Sequence, residues 1–294
     1  MGGVYSTAPG LTPLARSADM PKVLDIDENY IHYIANKTEC RREDLAKYHC
    51  LHAFADETRR AVAATLVERM TSEYPEVFQL HEDELTNRKT GETMPIKAAG
   101  ARYVSVFDTL CSQLQEDVAV VQMSGNKDWL TAIHLCSPNH WDPRTKIGRP
   151  FNEIHIPVPG IERTMKNYQV MLKMIIDKEP FTRFAWGIST DTQLNHHPET
   201  PIGKQEGRTY SGKDTQFYVR TERQNLIGLK SVNAFIFTIR TYFYKVNELS
   251  KEEKEKLAAA VSSMSDASLE YKGMTDLKGA LLQEISWRDP NEKE

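Results

Sequence analysis

Two strand-like stretches, then about forty-five residues heavy in proline and glycine, then three more strand-like stretches: this order constrains most tightly what the chain can fold into. Residues 116–123 and 129–136 suit strands, and Ser124-Gly125-Asn126-Lys127-Asp128 between them is a turn cluster, so the pair predicts a hairpin. The stretch from Ser137 to Phe181 contains one amphipathic helix, with Ile161, Met165, Tyr168, Leu172 and Ile175 on one face, and reads as a helical crossing. Residues 184–190, 216–225 and 235–244 are dense in aromatic and β-branched side chains and predict three further strands.

The flanks complete the plan. Pro9, Pro13 and Pro21 lie in a glycine- and proline-rich opening, which predicts an irregular strap over residues 1–40 and regular structure from near Arg41. Residues 56–74 predict a helix capped by Asp56, with Val62, Leu66 and Met70 spaced four apart, and Pro75 stops it. Ser250-Lys251-Glu252-Glu253 is a capping box that opens a C-terminal helix, and a second helical piece spans Asp276 to Ile285. The polar loop from Asn195 to Asp214 is long enough for a lid or a flexible excursion. The division is thus a strap at 1–40, a single domain at 41–285 and a tail at 286–294. Two strands, a helical crossing and three strands is the PAS order, in which one antiparallel sheet closes a pocket against the crossing helices. The expected class is α+β: a PAS-like five-stranded antiparallel sheet with crossing helices, plus N- and C-terminal helical extensions.

Charge and cysteine usage then exclude several functions. Lysine and arginine number 37 against 41 acids, for a net charge of −4, and no basic stripe could neutralise a row of phosphates, so nucleic acid is not expected as a partner. Apolar runs are only a few residues long, against the roughly 20 needed to cross a bilayer, and no signal pattern opens the chain. Cys40, Cys50, Cys111 and Cys136 are scattered without metal or cluster spacing, which fits reduced thiols in the cytoplasm. Met1-Gly2-Gly3-Val4-Tyr5-Ser6 fits the short myristoylation pattern.

Chemistry-bearing candidates concentrate in and after the crossing. His155 stands between Ile154 and Ile156, braced by Pro157 and Pro159. It suits either an axial imidazole, one nitrogen on iron and the other donating to a carbonyl, or a buried histidine satisfied by hydrogen bonds. Strand alternation puts Tyr218, Arg220, Glu222 and Gln224 on one face and Arg223 on the other; the first face is either solvated or the polar wall of a pocket. Arg183 precedes Phe184-Ala185-Trp186 and lies either at a pocket mouth or on the surface. Gln115-Glu116-Asp117 reads as a solvated strand end, and His196-His197 as surface groups.

Together these residues resemble the haem-dependent oxidative N-demethylase family. The resemblance is carried by Leu114-Gln115-Glu116-Asp117, Trp141 through Lys146 with Gly148, and Ile154-His155 with Pro157-Val158-Pro159. It continues through Arg183 with Trp186, Arg220-Thr221-Glu222-Arg223-Gln224, Phe237 through Tyr242, and Tyr271-Lys272-Gly273, and so covers roughly residues 25 to 285. It implies haem b between sheet and crossing helices, with His155 as the iron ligand and Arg220 and Trp186 beside the cofactor. It further implies a monooxygenase that uses molecular oxygen to demethylate a small secondary amine, with Glu222 holding the protonated amine and Arg183 polarising the oxygen. Ala185 stands where the family has asparagine, which opens the way to a different amine or a different oxidation on the same haem. The chain has no nucleotide fingerprint, flavin motif or cluster cysteines, so a separate reductase is expected to supply electrons. The competing readings are a haem-based PAS gas sensor and a ligand-binding protein without catalysis.

Overall fold

The computed structural model describes residues 3–16, 21–200 and 207–286, with the side chain of Arg163 left aside. The acylation pattern at Met1-Gly2, the middle of the loop at 201–206 and almost all of the tail lie outside these residues. In chain order the elements are β1 (Thr12–Pro13), α1 (Tyr30–Tyr48), β2 (His49–Leu51), α2 (Asp56–Glu73), β3 (Phe78–His81), β4 (Glu84–Asn87), β5 (Glu92–Pro95) and α3 (Val106–Cys111). They continue with β6 (Asp117–Ser124), β7 (Lys127–His134), α4 (Phe151–His155), α5 (Glu162–Met165), α6 (Tyr168–Asp177) and β8 (Phe181–Ser189). The last are β9 (Tyr218–Leu229), β10 (Ala234–Lys245), α7 (Lys251–Ser262), α8 (Asp266–Tyr271) and α9 (Lys278–Ser286).

The main sheet is antiparallel and has seven strands in the order β1-β8-β9-β10-β6-β7-β2, and β3, β4 and β5 form a separate three-stranded sheet. The expected five strands are its interior, and the number five is corrected to seven. The two additions, β1 and β2, are two and three residues long, too short to show any alternation. The long pair β9 and β10 is joined by a tight turn whose Asn233 takes a left-handed φ of 51°, a conformation asparagine tolerates better than most residues.

Each face of the sheet has its own core. Val118, Val120, Ala132, Ile227, Leu229, Ala234 and Ile236 pack on Val62, Leu66 and Met70 of α2. The opposite face, with Ala119, Val121, Leu130, Phe181, Leu226, Phe235 and Ile239, packs on Leu172, Ile175 and Ile176 of α6. A bulge after Val120 makes Thr131 the extra residue, which is why Leu130 and Ala132, two apart, reach different faces. A third cluster joins Ile188, Phe217 and Val219 to Leu257, Val261, Leu269, Leu277 and Leu281 of the C-terminal helices. The capping box at Ser250 forms in both directions, whereas α2 is preceded by Ala55, with Asp56 in its first turn rather than as its cap.

Three further expectations are corrected. The crossing helix is broken in two at Lys166-Asn167, between α5 and α6. Apart from the two-residue β1 and the short turn after it, regular structure begins at Tyr30 rather than Arg41, because the buried face of α1 is Tyr30, Tyr33, Lys37 and Cys40 and carries no aliphatic periodicity. Gln115, Glu116 and Asp117 are each only 1% exposed. They anchor the opening segment and the β7 exit: Asp27 N–H donates to Gln115, Asp25 N–H to Glu116 at 2.6 Å, and the Cys136 and Ser137 N–H groups to Asp117. Glu73 takes the N–H groups of Val23 and Leu24.

Burial pushes the Glu116 carboxyl up to about 7 from an ordinary 4.5, so the native state holds this proton more tightly than the unfolded chain. The resulting stability is fully present below pH 4.5 and is lost as pH rises to about 7, a difference of roughly 3 kcal/mol at most. Glu116→Gln keeps the acceptor for Asp25 and removes the charge. It is expected to stabilise the protein at pH 8 and to flatten urea-melt stability between pH 5 and 8; an unchanged pH slope would refute the assignment.

Candidate active site

The side chains that matter lie on the α6-facing side of β8, β9 and β10. Antiparallel pairing sets Arg183 opposite Gln224, Ala185 opposite Glu222 and Gly187 opposite Arg220, and it continues the same rows to Ile239, Thr241 and Phe243. Residues directly opposite share a face, so Arg183, Glu222, Gln224 and Arg220 stand on the side covered by the crossing helices. Glu222 accepts a hydrogen bond from Gln224 Nε2 at 2.9 Å. Beside them Gly187 is buried, yet a Cβ there would meet open space, which marks a void at this end of the sheet.

His155 closes α4. Pro150 starts that short helix in an extended conformation, and the turn brings His155 Nδ1 to 2.7 Å from the Phe151 carbonyl. A carbonyl only accepts, so Nδ1 carries the proton and Nε2 presents its lone pair, with no hydrogen-bond partner among the described residues. The ring lies 4.0 Å from the Phe151 ring, which is itself stacked with Tyr168. Burial, reinforced by the positive charges of Lys146 and Arg183, holds the imidazole down at about 4, so it is neutral at physiological pH.

The other expected residues separate into different roles. Arg220 is buried and commits its guanidinium to the Ser137 carbonyl at 2.7 Å, to His196 Nδ1 at 3.0 Å and to the carbonyls of Gln193 and Leu194. It ties the crossing to the loop after β8 and is a positioning residue. Trp186 stands on the opposite face of β8 from Arg183, edge-on to Tyr5 and against the C-terminal cluster, so the structure does not bring it together with His155. His196 and His197, expected at the surface, are fully buried. His196 is held between Arg220 and Asp191, the latter at 3.0 Å, with His140 stacked on it at 4.8 Å.

The structure adds residues that had no role in the sequence reading. Lys146 sits 4.4 Å over the Trp141 ring, Lys272 Nζ donates to the Trp186 carbonyl at 2.6 Å, and Arg208 lies against Gly273, where any Cβ would collide with its side chain. Burial lowers all three cations, Lys272 to about 8 and Arg208 to about 10, and the negative charge of Glu222 opposes this at Lys146, Arg183 and Lys272. Lys146 and the Tyr271-Lys272-Gly273 run belong to the motifs that carry the resemblance. Their chemistry was hidden because Lys146 and Lys272 come within reach of Glu222, and Arg208 beside Gly273, only in the fold.

A neutral, orientationally fixed imidazole with an open nitrogen suits an axial ligand of haem iron. The orphaned Arg183 Nε and the void at Gly187 fit a group brought in from outside. Among the described residues no three or more histidine, cysteine or acidic side chains converge as a site for a bare metal ion, and no helix is long and apolar enough to cross a membrane. The model of the haem-dependent oxidative N-demethylase, alpha subunit-like family matches residues 15–282.

Proposed function

From the premise that the chain belongs to the haem-dependent oxidative N-demethylase, alpha subunit-like family, we propose that it is the haem-holding, amine-oxidising subunit of a monooxygenase. The interior strand order β7-β6-β10-β9-β8, with α4 to α6 crossing one face, supports a PAS-like reading of the scaffold. The observation that carries the proposal is His155: its proton is fixed on Nδ1 by the Phe151 carbonyl and its Nε2 is open, on the same side of the sheet as Glu222 and Arg183. When bound, haem b would supply the oxidising chemistry, in which dioxygen, two electrons from a separate reductase and two protons from solvent would convert an N-methyl group to formaldehyde and leave the second oxygen atom as water.

The residues of the chain hold and orient. His155 would hold the iron, and its bond to the Phe151 carbonyl keeps the imidazole in the binding tautomer and raises its basicity. Glu222 receives the protonated amine through a charge-assisted hydrogen bond, with Gln224 fixing its carboxylate. Ala185, directly opposite Glu222, leaves room beside that carboxylate, and Arg183 presents an unpaired Nε on the same strand face.

The test is an absorption spectrum of protein expressed with adequate haem supply, recorded before and after dithionite and with methylamines added. A Soret band that shifts on amine addition is expected; protein that takes up no haem would overturn the reading. Glu222→Gln is expected to keep haem and to weaken binding of a cationic amine by roughly 10- to 100-fold, the range for a hydrogen bond to a charged group. Unchanged amine affinity in that variant excludes the role given to Glu222.

A further inference from the structure

Glu222 stands among cations, and Arg208 joins them beside Lys272. Lys146 comes from the turn before α4, Arg183 from β8, Arg208 from the loop before β9 and Lys272 from the end of α8. Arg183 and Arg220 share the strand face of Glu222. Lys272 Nζ donates to the carbonyl of Trp186, the residue after the Ala185 that pairs with Glu222, and Arg208 packs on Gly273 next to Lys272. The negative charge of Glu222 reaches Lys146, Arg183, Arg220 and Lys272. None of Lys146, Arg183, Arg208 and Lys272 has an acidic partner within 4.0 Å among the described residues, although ion pairs of that kind occur elsewhere in the chain. Lys146 and Arg208 make no hydrogen bond among those residues either, and Arg183 Nε is buried without a partner.

Such an arrangement is unfavourable as it stands. Partly buried charges of like sign repel and have lost hydration, and a counter-ion restores both terms. Haem brings two propionates, offset in part by the charge of ferric iron, and so neutralises only part of the surplus. Lys146 and Arg183 are the cations whose charge reaches His155. Arg208 and Lys272 lie next to one another at the C-terminal helices, with Gly273 permitting the close approach of the Arg208 side chain.

We propose that the methylamine taken by this pocket also bears a carboxylate, as in an N-methyl amino acid, with its ammonium on Glu222 and its carboxylate on Arg208 and Lys272. The proposal rests on the demethylase reading and narrows its substrate class. A planar guanidinium with parallel donors matches a carboxylate, and Lys272 adds a further donor from the side. Ala185 leaves the space opposite Glu222 that a ligand larger than dimethylamine needs.

Haem-loaded protein is titrated with N-methylglycine, dimethylamine and acetate, and the Soret shift is followed. N-methylglycine is expected to bind at least about tenfold more tightly than dimethylamine. Arg208→Gln is expected to abolish that preference while leaving haem occupancy and dimethylamine affinity as they were, and Arg208→Lys to keep part of it. Equal affinities in the wild type overturn the proposal. So does an Arg208→Gln variant that loses haem with the preference intact, since the cations then serve the propionates alone. If the protein takes no haem, the demethylase reading fails separately, and thermal melting decides the anion site. Stabilisation by N-methylglycine but not by dimethylamine keeps that site, and stabilisation by neither removes it.

Discussion

Protein carrying His155→Ala is expected to be folded and nearly colourless, with haem retention weakened by more than about 100-fold. Loss of a hydrogen-bond partner behind a metal-bound histidine already costs 10- to 100-fold in metal affinity, and removal of the ligand itself costs more. The fold should survive because α4 is a short helix with no buried residue, and the ring contributes one hydrogen bond and a stacking contact with Phe151. Those are worth about 1 kcal/mol, a Tm change of a few degrees in a protein of this size. Free imidazole should restore haem uptake by filling the space the side chain vacates. Full haem occupancy in the variant without added imidazole would sink the assignment.

The largest effect on stability is expected from Gly228→Ala. Gly228 lies in β9 opposite Phe235, directly beneath the last turn of α6, and a Cβ there would overlap the carbonyl oxygens of Ile175 and Ile176. Neither oxygen can retreat alone, because the same two residues and Leu172 form the core between α6 and the sheet. The helix must lift off, so the cost is expected at about 3 kcal/mol or more, a fall in Tm of roughly 5–10 °C. Haem uptake should weaken as well, since α4 and α6 cover the same face. A variant that melts within a degree of the wild type would mean that the helix is less closely seated than described.

The parts of the fold legible in the sequence are those with a strong period. The hairpin of β6 and β7, the strands β8 to β10 and the α2 face follow from alternation and from four-residue spacing of aliphatic side chains. The first half of α1 was missed because its inner face is polar: Lys37 donates to the Cys111 and Glu116 carbonyls and lies 3.8 Å from Asp117. The same interior polarity made Gln115, Glu116 and Asp117 look like a strand end in water. In the site, period two correctly grouped Arg220, Glu222 and Gln224 and set Arg223 apart. Applied to β8 it also separates Trp186 from Arg183, three residues earlier, a distinction that the short motif conceals. Arg208 and Lys272 were beyond reach, since no local pattern tells a loop arginine and a helix-end lysine that they will stand side by side.

The seating of the opening segment has a consequence for synthesis. Asn225 on β9 donates to the Val23 carbonyl, 202 residues earlier in the chain, and Tyr242 on β10 donates to Asp25, 217 residues earlier. The opening segment therefore has part of its seat on strands synthesised about two hundred residues later, and until those emerge Val23 and Leu24, fully enclosed in the folded protein, are covered only in part, by α2 and Tyr74. The seat of the opening segment closes only after β9 and β10 have emerged.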